Sequence, residues 1–154
     1  MSQHFLLSAS ARTLSLAQIM RMSDAEAETL FASIRWASTN GEPVCPSCGC
    51  LKPYQDRRAS GSLRFRCKGC KESFSLTSGT LFAFHKLPVR TYLAGLAIYC
   101  NEVKGKNALA LSRDLDVQYK TAFVLSRKIR EAIASEMKGV NVGGEGKIAE
   151  VDGA

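Results

Sequence analysis

Hydrophobic positions in the first forty residues recur at helical spacing. Leu14, Leu16 and Ile19 open the pattern, and Leu30, Phe31, Ile34 and Ala37 continue it with Trp36 alongside, so the spacing predicts helix over about residues 14–38. Ser23-Asp24-Ala25-Glu26 has the Ser-x-x-Glu form of a capping box, and Asn40-Gly41 followed by Pro43 supplies a stop. The period then falls to two. In Leu63-Arg64-Phe65-Arg66-Cys67-Lys68 the apolar side chains point one way and the basic ones the other, which predicts a short strand with a small core face and a basic face. Helical spacing returns after Pro88, placed to be the first residue of a helix whose apolar stripe is Leu93, Leu96, Ala97, Cys100 and Val103. Asn107 suits the N-cap of a further helix holding Leu111 and Leu115, and a longer helix runs from about Gln118 to Lys138, ended by Gly139. Gly139, Gly143, Gly144 and Gly146 make the following stretch a flexible joint.

Residues 108–127 read as two helices joined by a sharp turn, with Leu111, Leu115, Val117, Ala122 and Leu125 in the buried positions. Asp116 falls where such a turn favours Gly, and Gln118 falls where a Ser or Thr cap would be usual. With the helix that starts at Pro88 they make a three-helix unit. If it is a DNA-binding helix-turn-helix, the second helix of the motif enters the major groove by its amino-terminal residues. Gln118, Tyr119, Lys120 and Thr121 then approach base edges, Arg127, Lys128 and Arg130 reach phosphates or groove walls, and Lys106 and Arg113 hold the backbone nearby. The competing reading is an ordinary helical hairpin with a solvated basic face.

Charge sharpens this picture. The 154 residues carry 21 Lys+Arg and 14 Asp+Glu, a formal charge of +7. The basic excess lies in two blocks, residues 45–90 and 104–138, separated by an almost uncharged stretch and flanked by mildly acidic ends. Concentrated basic surface suits a polyanion, since each neutralised phosphate releases condensed counterions; simple solubility is the alternative. The composition, 45% hydrophobic and 23% charged, is that of ordinary globular material. No run of about 18 apolar residues suggests a membrane span, and the amino terminus lacks the basic leader of a secretory signal. The expected location is the cytoplasm, where disulfides rarely persist.

Six cysteines in that setting need another use. Cys45-Pro46-Ser47-Cys48 and Cys67-Lys68-Gly69-Cys70 are two Cys-x-x-Cys pairs 18 residues apart, the spacing of a four-thiolate zinc site. Such a site is closed, leaving no position for an activated water, so the metal is expected to be structural. It would also stabilise a module too small to fold on its own core. A redox pair would sit in a βαβ setting and need one Cys-x-x-Cys only; an iron–sulfur centre is the other alternative. Cys50 is read as a spare thiol and Cys100 as a small core residue; His4 and His85 have no partner at ligand spacing. The expected fold class is α+β and multi-module: N-terminal helices, a four-Cys zinc ribbon of short antiparallel strands, and a three-helix helix-turn-helix unit.

Together these residues resemble a known family, bacterial insertion-sequence transposases of the DDE type with an amino-terminal zinc ribbon, related to the eukaryotic Merlin elements. The likeness takes in both Cys pairs, Phe74-Ser75-Leu76-Thr77-Ser78-Gly79-Thr80, Lys86-Leu87-Pro88, Ala110 to Leu115, Tyr119-Lys120-Thr121-Ala122 and Lys128 to Ala132. Departures are Asp116 for the family's usual Gly, Gln118 for Ser and Phe123 for Trp. The resemblance divides the chain into a helical lead (1–40), a zinc ribbon (41–80), a helix-turn-helix unit (81–138), and a Gly-rich linker with the first strand of a ribonuclease-H-like domain (139–154). It implies structural Zn²⁺, double-stranded DNA at transposon ends as partner, and association with a second copy or another transposase subunit; Arg64 and Arg66 join the expected DNA contacts. Asp152 matches the first metal-binding carboxylate of the family's catalytic site. One carboxylate cannot hold two metals, so Mg²⁺ chemistry is expected only in a full-length relative and the chain alone is expected not to be an enzyme. A stand-alone regulator and a protein-interaction module are the alternative functions.

Overall fold

The computed structural model describes residues 14–59, 61–84, 87–102 and 105–137; His4, His85, Val103 and the stretch 138–154, with Asp152, lie outside them. The expected lead helix is two helices, α1 (Leu16–Arg21) and α2 (Asp24–Arg35). The capping box is the reason. Ser23 is extended, its hydroxyl accepts from the Glu26 N–H at 3.3 Å, and its own N–H donates to the Glu26 carboxylate at 2.8 Å, so a new helix starts there and the earlier one has to end. After α2 a short 3-10 turn (Ala37–Thr39) leads to Asn40 and Gly41, both left-handed with φ of 52° and 83°, and the chain reverses.

Three short antiparallel strands follow in the order β1 (Tyr54–Arg57), β2 (Leu63–Arg66) and β3 (Ser73–Ser75). Gln55 lies opposite Phe65, which lies opposite Phe74. The two phenylalanines stack at 5.3 Å on the inner face, and Trp36 meets Phe65 edge-on at 5.9 Å. Phe65 and Cys67 are buried while Arg64, Arg66 and Lys68 are exposed, as the two-residue period predicts.

Beyond β3, buried Phe82 lies against Phe31 of α2 at 6.0 Å and against Tyr92 at 4.7 Å, carrying the core into α3 (Val89–Asn101). Pro88 caps α3 rather than opening it. The expected one-sided stripe is corrected: every residue from Tyr92 to Tyr99 is buried. The helix lies between others, with α1 and α2 packed on it. Gly95 backs onto Leu125 of α5 (Tyr119–Met137), so closely that a methyl at Gly95 would stand 3.4 Å from the leucine. Cys100, expected in the core, is exposed at the end of α3, one residue after the buried run that closes at Tyr99. Between α3 and α5 comes α4 (Ala108–Asp114), and one core runs from Leu14 to Ile129 through helices and sheet alike. The fold is α+β. At roughly 1.5–3 kcal/mol for each large apolar side chain fully removed from water, the interior joining α2, the sheet and α3 contributes substantially to stability. Among the described residues no helix is long and apolar enough to cross a membrane.

Candidate metal centre and nucleic-acid interface

Two tight turns build the metal centre. In the first, the Cys45 N–H donates to the Cys50 carbonyl and the Gly49 N–H to the Cys45 carbonyl, each at 3.0 Å; in the second, the Cys67 N–H donates to the Glu72 carbonyl at 2.8 Å. These bonds curl each Cys-x-x-Cys so that both thiols face inward. All four Sγ atoms lie within 4.8 Å of one another, with Cys45–Cys70 at 3.6 Å and Cys48–Cys67 at 3.5 Å. A tetrahedron with metal–sulfur bonds of about 2.3 Å has sulfur–sulfur edges of about 3.8 Å, so the cluster has nearly the size of a four-thiolate site. The spacing is far too long for disulfides, whose sulfurs stand about 2.0 Å apart.

Electrostatics lead to the same reading. Burial pushes the Cys67 thiol up, yet the Cys70 N–H, the Cys48 thiol and the Gly69 N–H outweigh it and bring Cys67 down to about 6. For Cys70 the Glu72 N–H pulls downward, but burial and the Cys67, Cys45 and Cys48 thiols prevail and push it up to about 12. The Cys67 thiolate forms readily while the Cys70 and Cys48 thiols are raised beside it, an opposition that a cation among them would relieve. Cys50 has no place in the set: its thiol turns away toward the Leu51 carbonyl at 3.5 Å.

Sequence reasoning missed Arg35, which holds the loop beside this centre. Its guanidinium donates to the main-chain carbonyls of Ser75 at 3.1 Å, Leu76 and Ser78, and it lies over the Trp36 ring at 4.5 Å. Burial lowers its pKa to about 10, and among the described residues no carboxylate pairs with it. The loop it holds contains Gly79, with φ of 76°, where a Cβ would stand 3.3 Å from Pro46 of the first cysteine turn. Arg35 thereby joins α2, the end of β3 and the metal knuckle.

Residues 22–73 match the profile of the transposase zinc-ribbon domain. The chain carries a transposase zinc ribbon. The match includes α2, so the helix that supplies Arg35 belongs to the ribbon domain. Over 102 residues the chain is also 30% identical to a protein of Halobacterium salinarum named "uncharacterized protein in transposable element ISH50", with 66% of this chain and 33% of that protein covered. The chain thus spans about a third of that relative's length. No solved structure matches it.

Downstream of the ribbon, α4 and α5 meet at a sharp turn. Asn107 caps α4, its side chain accepting from the Ala110 N–H at 2.7 Å, as expected. Asp116 adopts the left-handed conformation with φ of 49°, and the Val117 N–H reaches back to the Ser112 carbonyl at 3.0 Å. Leu111, Ala122 and Leu125 are fully buried, Leu115 and Val117 half-buried, and Ser126 and Ile129 complete the contact face.

Of the expected DNA contacts, Gln118, Tyr119 and Lys120 stand exposed at the start of α5, and Thr121 is half-buried beside them. Tyr119 and Phe123 form an exposed ring pair at 6.1 Å. Lys128 is half-buried. Arg127 is paired with Glu131 at 2.7 Å, and Arg130 donates to the Lys106 carbonyl at 2.8 Å. Lys106 is engaged within the unit, bridging Asp114 at 2.6 Å and Glu102 at 3.3 Å. Arg64 and Arg66 lie away from this helix, on the outer face of β2.

Proposed function

We propose that this chain binds duplex DNA at the ends of an insertion-sequence element, with the helix-turn-helix reading sequence and the ribbon held by structural zinc. The observation that carries this reading is the amino-terminal turn of α5, where Gln118, Tyr119 and Lys120 are exposed together on a helix of 19 residues whose opposite face is locked to α3 and α4. A side chain on a locked helix is positioned for base edges; the same residues on a frayed hairpin would not be. Thr121 supports them from the edge of the packed face. Arg127, Lys128 and Arg130 serve the phosphates further along, and Arg64 and Arg66 contact nucleic acid from the ribbon. The sequence division at 41–80 and 81–138 remains the working separation of roles, although one core joins the two.

The chain by itself is proposed to bind without cutting. Asp152 is the one residue matched to the family's catalytic carboxylates, and a two-metal phosphoryl transfer needs several. Gel-shift titration of a terminal inverted repeat across a salt series tests the binding: affinity should fall as salt rises, and Lys120→Ala should erode preference for that sequence more than Arg113→Ala does. Salt-independent binding, or none, would count against the reading. Nicking of an end substrate with Mg²⁺ that is lost in Asp152→Ala would overturn the non-catalytic assignment.

A further inference from the structure

Beside Arg64 and Arg66, the outer face of the ribbon sheet carries side chains to which the duplex reading gives no role, Tyr54, Lys68 and Lys71 among them. Tyr54 lies opposite Arg66, which lies opposite Ser73; Asp56 lies opposite Arg64. Directly paired residues in antiparallel strands share a face, so Tyr54, Asp56, Arg64, Arg66 and Ser73 line one surface while Phe65 and Phe74 are buried on the other. Lys71 joins them around a shallow concavity of about 570 Å³. The Lys68 ammonium stands 4.9 Å from the Tyr54 ring centroid, and Arg64 is oriented by the Ser73 hydroxyl at 2.9 Å. Arg64, Arg66, Lys68 and Lys71 form no ion pair among the described residues, and against them stands Asp56, which accepts from the Arg57 N–H at 2.8 Å. Tyr54 is 61% exposed and contributes nothing to the core.

We infer that this face is a binding site for an unpaired DNA strand, separate from the duplex-reading helix. Cations with no carboxylate paired to them attract phosphates of any nucleic acid. The ring is the discriminating element. In a duplex the faces of the bases are stacked on one another and only edges and phosphates are offered outward, whereas an unpaired base presents its π-face to an aromatic platform. A tyrosine set in a basic concavity, with a lysine at its ring, suits stacking of one base while the flanking phosphates meet Arg64, Arg66 and Lys71. On a three-stranded sheet about 10 Å wide, the strand would cross close to the metal knuckle that carries Lys68. The inference extends the reading of Arg64 and Arg66 as nucleic-acid contacts but needs nothing from α5.

The test uses the full chain loaded with zinc and two labelled probes: an oligothymidylate about ten nucleotides long, within the usual site sizes for single-strand binders, and a blunt duplex of the terminal repeat. Fluorescence anisotropy should show Tyr54→Ala binding the oligothymidylate about tenfold more weakly, Tyr54→Phe binding it within about twofold of the parent, and both binding the duplex nearly unchanged. Lys120→Ala should do the reverse, weakening the duplex and sparing the oligothymidylate. Because Tyr54 is exposed, both of its variants should keep their zinc and fold, which metal content and circular dichroism check. Oligothymidylate binding that is absent from the parent, unaffected by Tyr54→Ala, or lost equally in Tyr54→Phe overturns the inference. Loss of duplex binding alone would overturn the helix-turn-helix reading and leave this one standing.

Discussion

The guanidinium of Arg35 donates to the main-chain carbonyl of Ser78, 43 positions later in the chain. With Ser75 and Leu76 this gives one side chain three carbonyl partners at the end of β3 and in the loop behind it. Hydrogen bonds to a charged donor contribute about 1.5–3 kcal/mol each, and carbonyls left dry and unpaired cost a comparable amount. Arg35→Met, which keeps much of the apolar stem, should therefore lower unfolding free energy by about 2–4 kcal/mol in urea titrations. Arg35→Lys should recover only part of it, since an ammonium cannot span the same carbonyls with a planar fork. Gly79→Ala should cost about 1–2 kcal/mol through the left-handed φ and the close approach to Pro46. A loss below about 0.5 kcal/mol for Arg35→Met would show that the loop holds itself.

Metal removal has a built-in reporter. Trp36 is the chain's single tryptophan, 7% exposed, and packed edge-on against Phe65, two residues before Cys67 in the chain. Chelation should expose its ring and shift its emission to longer wavelength, with α-helical ellipticity falling as well because the same core runs on into α3. Cys67→Ser should mimic chelation, whereas Cys50→Ser should leave both metal content and emission unchanged. Cobalt substitution offers a second readout through the visible absorption of a tetrahedral four-sulfur site. An unchanged Trp36 emission after complete metal loss would contradict this account.

The local features of this chain were legible because local chemistry fixes them. Cys spacing located the four thiols, Ser23 and Glu26 located a helix start, Asn107 located a cap, and Asp116 marked a left-handed turn. What escaped the sequence depends on partners distant in the chain. Cys100 sits at a helical spacing from Leu96 and Ala97, and nothing in that spacing shows that the buried run closes at Tyr99. Arg35 looks like any last-turn arginine, since nothing adjacent to it reveals the carbonyls of Ser75 to Ser78. Arg127, Arg130 and Lys106 counted equally in the charge of their block, yet each is tied to an internal partner.

Acid should act on α2 through its cap. The Ser23 N–H first, and its hydroxyl second, hold the Glu26 carboxyl below the ordinary value of 4.5. A carboxyl lowered in the folded state contributes stability that is present above that ordinary value and lost as pH falls through the folded one. Glu26→Gln cannot titrate, so the urea midpoint of the parent should exceed that of the variant near neutrality and converge on it as pH falls below about 4. Taking the difference between the two proteins removes the acid sensitivity of the thiolate centre, which both share. A gap that stays constant with pH would mean the carboxylate's charge plays no part in the cap.

Asp116 joins stability to binding in one residue. It occupies the left-handed position of the α4–α5 turn at φ of 49°, which an L-residue adopts at a penalty that Gly escapes, and its carboxylate is exposed two residues before Gln118. Asp116→Gly should raise stability by up to about 1 kcal/mol, the conformational relief being partly offset by the greater freedom of Gly in the unfolded chain. It should also strengthen duplex binding, because a negative charge beside the turn proposed to enter the groove repels phosphates over a range of about 10 Å at moderate salt. Asp116→Asn separates the two effects. Asparagine tolerates the left-handed conformation much as aspartate does but carries no charge, so it should reproduce the gain in affinity with little gain in stability. If Asn leaves affinity where Asp has it while Gly improves it, the benefit comes from the turn's geometry, and the electrostatic part of the prediction fails.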